Sequence, residues 1–104
     1  MHLDMLMATA ADFALLRRGR PVASGRWDDV HEVRAERAGN NAFDPVRLQL
    51  RLTDGSVFVA SDDAPGWDDF VDAAASALPD LPPAEAWFFD AAGQQSNVVF
   101  ERTR

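Results

Sequence analysis

Val46-Arg47-Leu48-Gln49-Leu50-Arg51-Leu52-Thr53, followed by Asp54-Gly55 and then Ser56-Val57-Phe58-Val59, is the stretch on which the fold turns. Val46, Leu48, Leu50 and Leu52 alternate with Arg47, Gln49, Arg51 and Thr53, the period-2 pattern of a strand with one apolar and one polar face. Asp54-Gly55 is a two-residue hairpin signal, because both central positions of a type I′ turn take positive φ. Pairing Thr53 with Ser56 predicts Leu52 opposite Val57 and Leu50 opposite Val59 on the core face. Arg51 is then expected to face Phe58 on the other side, its stem covering the ring.

Downstream, the period becomes helical. Trp67, Phe70, Val71, Ala74, Ala77 and Leu78 form one stripe, and Pro79 ends it, so a helix is predicted over about 64–78. Asp62 or Asp63 is expected to cap its start, and the acids of the first turn suit the positive end of its dipole. A second short helix is expected from about Pro83, with Ala84, Trp87, Phe88 and Ala91 on one face and Gly93 at its end; a strand through 87–89 is the alternative. Asn97–Glu101 reads as a closing strand.

Upstream, Phe13–Arg18 and Pro21–Ser24 read as strands around an Arg18-Gly19-Arg20-Pro21 turn. Gly25 is expected to break the chain, and a bend or bulge near Asp28-Asp29 precedes a strand from about Val30. Residues 1–10 fit a flexible tail or a first element equally. The expected fold class is α+β: a single domain over 1–104, with an antiparallel sheet of four to six strands packed against one main helix.

Composition narrows the chemistry. The 104 residues carry 17 acids against 10 basic residues, a net charge of −7, with 47% hydrophobic residues. That is the balance of one folded domain, and the acidity argues against a nucleic-acid backbone as partner. There is no cysteine, and every basic residue is arginine, which removes thiolate and lysine chemistry. No stretch approaches a membrane span, and no basic-then-apolar leader opens the chain, so a soluble cytoplasmic protein without membrane association is expected. Charge is segregated: eight arginines lie between Arg17 and Arg51, whereas 61–92 has eight acids and no basic residue.

Few residues carry the marks of chemistry. His2 and His31 are isolated, and a proton-transfer role for His31 would need an activating partner such as Asp29, two positions away. Ser24, Ser56, Ser61, Ser76 and Ser96 stand in no nucleophile-elbow context, and the glycines are scattered rather than grouped to cradle phosphate. Asp62, Asp63, Asp68, Asp69 and Asp72 lack the spacing of a calcium loop, so no metal and no cofactor are expected. The same residues, with Trp67 entered through Pro65-Gly66, are the candidate protein-interaction surface. The expected role is non-catalytic, an interaction or accessory protein meeting a basic protein partner or forming a homodimer. The alternatives are a small-ligand binder in a helix–sheet cleft near Trp67, or a small enzyme using carboxylates and His31.

Trp27-Asp28-Asp29-Val30-x-x-Val33-x-Ala35, Asp44 before the alternating strand, Pro65-Gly66-Trp67-x-x-Phe70, Leu78-Pro79 and Trp87 appear in this order. In these pieces the chain resembles a group of small bacterial proteins likened to pleckstrin-homology-like domains. The resemblance spans about residues 13–100 and implies a barrel or half-barrel. It carries no catalytic residue or ligand, and a phosphoinositide site would call for a lysine-bearing basic mouth that is missing.

Overall fold

The computed structural model describes residues 4–37, 45–78, 81 and 97–101. Among these residues seven strands and one α-helix follow in the order β1 (Asp4–Ala8), β2 (Asp12–Arg17), β3 (Arg20–Arg26), β4 (Val30–Arg37), β5 (Val46–Leu52), β6 (Val57–Ser61), α1 (Trp67–Ala77) and β7 (Asn97–Glu101). They form two antiparallel sheets, β1-β2-β3 and β6-β5-β4-β7, in place of the single sheet expected from sequence. Among the described residues the sheets do not close into a barrel. β3 lies beside β6 without pairing to it.

The division has a local cause at Trp27–Asp29. After β3 the chain makes one 3-10 turn there and enters β4 in the other sheet. Trp27 fixes this corner, its backbone N–H donating to the Ala11 carbonyl at 3.1 Å and its indole N–H to the Thr9 carbonyl at 2.9 Å. The bend expected at Asp28-Asp29 is this turn. Gly25, expected to break the chain, lies within β3, where a Cβ would stand 2.8 Å from Cζ of Phe13 and 2.9 Å from Cδ1 of Leu52. Its bareness lets the Phe13 ring lie against the backbone.

Four rings join the two sheets and the helix. Phe13 sits 4.5 Å from Trp27, 4.7 Å from Phe58 and 6.0 Å from Phe70 between ring centroids, mostly tilted or edge-on. Phe58 stacks on Phe70 at 5.9 Å. These separations suit the ring quadrupoles. Leu6, Val30, Val33, Ala35, Leu48, Leu50, Ala74, Leu78 and Phe100 are among the residues packed with them in the buried core.

The β5–β6 hairpin corrects the expected register. Leu52 donates its N–H to the Ser56 carbonyl and Gly55 donates to Leu52, both at 2.9 Å, so Thr53-Asp54-Gly55 form a three-residue connection with Gly55 at φ 90°. Leu50 therefore pairs with Phe58 and Gln49 with Val59. The shift exchanges the faces of β6. Phe58 and Ala60 are buried, while Val57 and Val59 are 51% and 39% exposed, the reverse of the sequence expectation. Asp54 supports the turn by accepting hydrogen bonds from the Ser56 hydroxyl at 2.6 Å and backbone N–H at 2.9 Å. These two bonds hold its carboxyl below the usual range.

The turn between β2 and β3 is centred on Arg18-Gly19, at φ 54° and 80°, one residue earlier than the Gly19-Arg20 centre of the expected Arg18–Pro21 turn. Of the two readings for the N-terminal segment, Asp4–Ala8 is a strand. α1 is shorter than 64–78 by the Ala64-Pro65-Gly66 approach and Leu78. β7 forms where expected. The choice between helix and strand near Trp87 lies outside the described residues.

Candidate functional site

The corner between β6 and α1 collects most of the sequence-predicted surface. At its start Asp62 N–H donates to the Val46 carbonyl at 2.9 Å, extending the β5–β6 ladder by one residue. The Ser61 hydroxyl donates to Asp63 at 2.6 Å, and the Ala64 N–H to the Ser61 carbonyl at 3.1 Å, which turns the chain. Neither aspartate caps the helix. The N-cap is Gly66, at φ 89° and without a side-chain cap, correcting the expectation for Asp62 and Asp63.

Gly66 occupies this position for a steric reason. Leu6 of β1 donates its N–H to the Pro65 carbonyl at 2.8 Å, and a Cβ on Gly66 would stand 2.2 Å from the Leu6 carbonyl oxygen. Both the left-handed backbone and the close approach demand glycine. The contact covers part of the outer edge of β1, which among the described residues pairs with no strand on that side.

Asp62, Asp63, Trp67, Asp68 and Asp69 come together around an open depression of about 420 Å³, with Ala64, Pro65 and Gly66 along its wall. Asp72, one helical turn further, is exposed outside it. Trp67 is half-buried against the core, whereas every other described aromatic is buried. Burial pushes the Asp62 carboxyl above its ordinary range; a hydrogen bond from Val46 acts against this and the charge of Asp63 adds to it. Asp68, Asp69 and Asp72 are exposed and make no ion pair with a described residue.

The other candidates do not converge. His31 is the extra residue in the β4–β5 register shift between Val30 and Glu32, and its side chain is exposed. Asp29 belongs to the preceding turn, and its carbonyl accepts the Thr53 N–H at 2.9 Å. Neither His31 nor Asp29 lines the depression at Trp67. Among the described residues, no group of three or more His, Asp or Glu side chains is placed to hold a metal ion.

The outer face of the four-stranded sheet is internally paired. Arg34 bonds Glu32 at 2.9 Å, Arg47 bonds Glu36 at 2.9 Å, and Gln49 also donates to Glu36. Sequence reading missed a second surface, on the outward side of β1-β2-β3. Met5, Met7 and Val22 are 43%, 48% and 50% exposed there. The alternation Met5-Leu6-Met7, with only Leu6 buried, is its sequence signature. An open groove of about 330 Å³ crosses this side, lined in part by Met7, Ala14, Pro21, Ser24 and Arg26. No family model matches the chain, and neither a curated protein nor a solved structure matches it.

Proposed function

We propose that the chain is a non-catalytic interaction domain, acting as an accessory or inhibitor-type protein in the cytoplasm, whose acidic corner docks a basic protein partner. One observation carries this reading. Trp67 stands half-buried in an open depression whose rim is carboxylate, from Asp62, Asp63, Asp68 and Asp69, with Asp72 one turn beyond. An aromatic with a surrounding ring of charge is a common form of protein-docking surface: the ring supplies anchoring area and the carboxylates steer a basic partner. The depression is open and lined mainly by polar groups, which suits a protein surface better than a small apolar ligand.

The test is retention of a basic protein from native lysate at low salt, identified by mass spectrometry. Asp68→Lys/Asp69→Lys/Asp72→Lys is expected to abolish that retention, with an unchanged circular dichroism spectrum. Retention that survives the triple reversal, or a lysate that yields no basic protein, would overturn the reading.

A further inference from the structure

The segregation of charge noted in the sequence becomes, in three dimensions, two adjoining surfaces of opposite character. Arg18, Arg20 and Arg26 are exposed on the β2–β3 hairpin and make no ion pair with a described residue. Arg18 in the turn and Arg26, opposite Asp12, edge the apolar side formed by Met5, Met7 and Val22, while Arg20, opposite Arg17, stands on the Leu6 side of the hairpin tip. On the other surface stand Asp68, Asp69 and Asp72, equally without described ion pairs, beside half-buried Trp67.

The two surfaces meet at one backbone contact. Leu6 bonds the Pro65 carbonyl at 2.8 Å, two residues before Trp67. Met5 and Met7 flank Leu6 with their side chains on the opposite face of β1. A basic, apolar patch thus adjoins an acidic, aromatic one across the edge of a single strand.

We propose that a second copy of this chain docks here, as a two-fold dimer in which the Met5–Met7–arginine side of each copy seats the Trp67–aspartate corner of the other. Two-fold interfaces use the same surface on both copies, so that surface must complement itself after rotation. A single patch of one charge sign fails that requirement, because it would meet its own sign. Two neighbouring patches of opposite sign meet it, since each faces its complement. The groove of about 330 Å³ beside Met7 gives the corner a concave seat. A standard interface covers about 800 Å² per partner, a modest part of the 6377 Å² exposed. The net charge of −7 opposes association at long range, so the local pairs must act at contact.

This inference rests on the acidic corner being a docking surface, as proposed above, and names this chain as an occupant. It is tested with purified protein alone, by sedimentation velocity across a concentration series at low and high salt. The wild type is expected to dimerise at low salt and to dissociate as salt rises. Arg18→Glu/Arg26→Glu and Asp68→Arg/Asp69→Arg are each expected to be monomeric, because each places like charges at both contacts. An equimolar mixture of the two restores opposite charges at both contacts and is expected to give a one-to-one dimer.

A wild type that stays monomeric, a dimer indifferent to both variants, or a mixture that fails to associate overturns the proposal. An open series of larger oligomers overturns its two-fold form. If a charge variant does not fold, Met7→Arg takes its place: a monomer supports the proposal and an intact dimer sinks it. A monomeric wild type that still retains a basic protein from lysate separates failure of this inference from failure of the docking reading.

Discussion

Gly66 is the residue on which the corner depends. Its φ of 89° is costly for any side chain, and its missing Cβ leaves room for the Leu6 carbonyl. Gly66→Ala is expected to lower unfolding free energy by about 2–4 kcal/mol, from the left-handed conformation and a clash with backbone that has no rotamer to escape through. Urea denaturation measures it, and a loss below about 0.5 kcal/mol would contradict the geometry. Arg18 also has positive φ, 54°, but in an exposed turn. Arg18→Asn is expected to stabilise by several tenths of a kcal/mol up to about 1 kcal/mol, because Asn-Gly suits a type I′ turn. Asp62 offers a test by pH. Its carboxyl is raised in the folded state mainly by burial, so folding takes up protons there. Its stabilising contribution is present below the ordinary carboxylate range and is lost as pH rises through the raised value. Asp62→Asn is therefore expected to melt higher than wild type at neutral pH, with the difference shrinking towards the acid end. Equal melting temperatures at both ends would remove the burial argument.

The β5–β6 hairpin shows at the element scale what a one-residue shift does. With Phe58 inward and Val57 and Val59 outward, Phe58→Ala is expected to cost about 3–5 kcal/mol. Val57→Thr and Val59→Thr, at exposed positions of the same strand, are expected to change stability by less than about 0.5 kcal/mol. Chemical denaturation of the three variants checks the order, and the tighter turn read from sequence demands the opposite one. Both strands were legible because alternation is a local signal. The register was not, since Asp54-Gly55 serves a two-residue I′ turn and a three-residue turn with Gly55 left-handed equally well. Burial of the Phe58 ring among Phe13 and Phe70 decides between them, and those contacts span distant parts of the chain. The same limit applies to the corner. The Pro65-Gly66-Trp67 entry was readable, but the reason for Gly66 lies in Leu6, sixty positions earlier. Local composition suggested caps at Asp62 and Asp63, whereas the ladder to Val46 and the Ser61 hydroxyl engage them instead.

At the scale of the whole molecule, electrostatics act on the fold and on association with opposite signs. The net charge of −7 repels itself in the compact state, most strongly along the aspartates before and on α1. Few described pairs offset it. Arg17–Asp4, at 2.9 Å, joins an exposed arginine to a half-buried aspartate at the surface and is worth little in water. Arg34–Glu32 and Arg47–Glu36 are more sheltered, but each joins an arginine to a glutamate and so leaves that surplus unmatched. Added salt shortens the Debye length to about 10 Å at 0.1 M, and so relieves repulsion among exposed aspartates more than it weakens the sheltered pairs. The midpoint of thermal unfolding is therefore expected to rise between roughly 10 mM and 0.3 M sodium chloride when the protein is dilute enough to be monomeric. Asp68→Asn/Asp69→Asn/Asp72→Asn reduces the surplus at its densest point and is expected to flatten that rise. The proposed dimer has the reverse dependence, because its contacts join exposed charges of opposite sign. Scanning salt at low and then high protein concentration separates the two effects: stabilisation when dilute, and loss of the concentration-dependent part of stability when concentrated. A midpoint that falls with salt in the dilute protein would mean that attractive pairs outweigh self-repulsion, contrary to the distribution of charge in this fold.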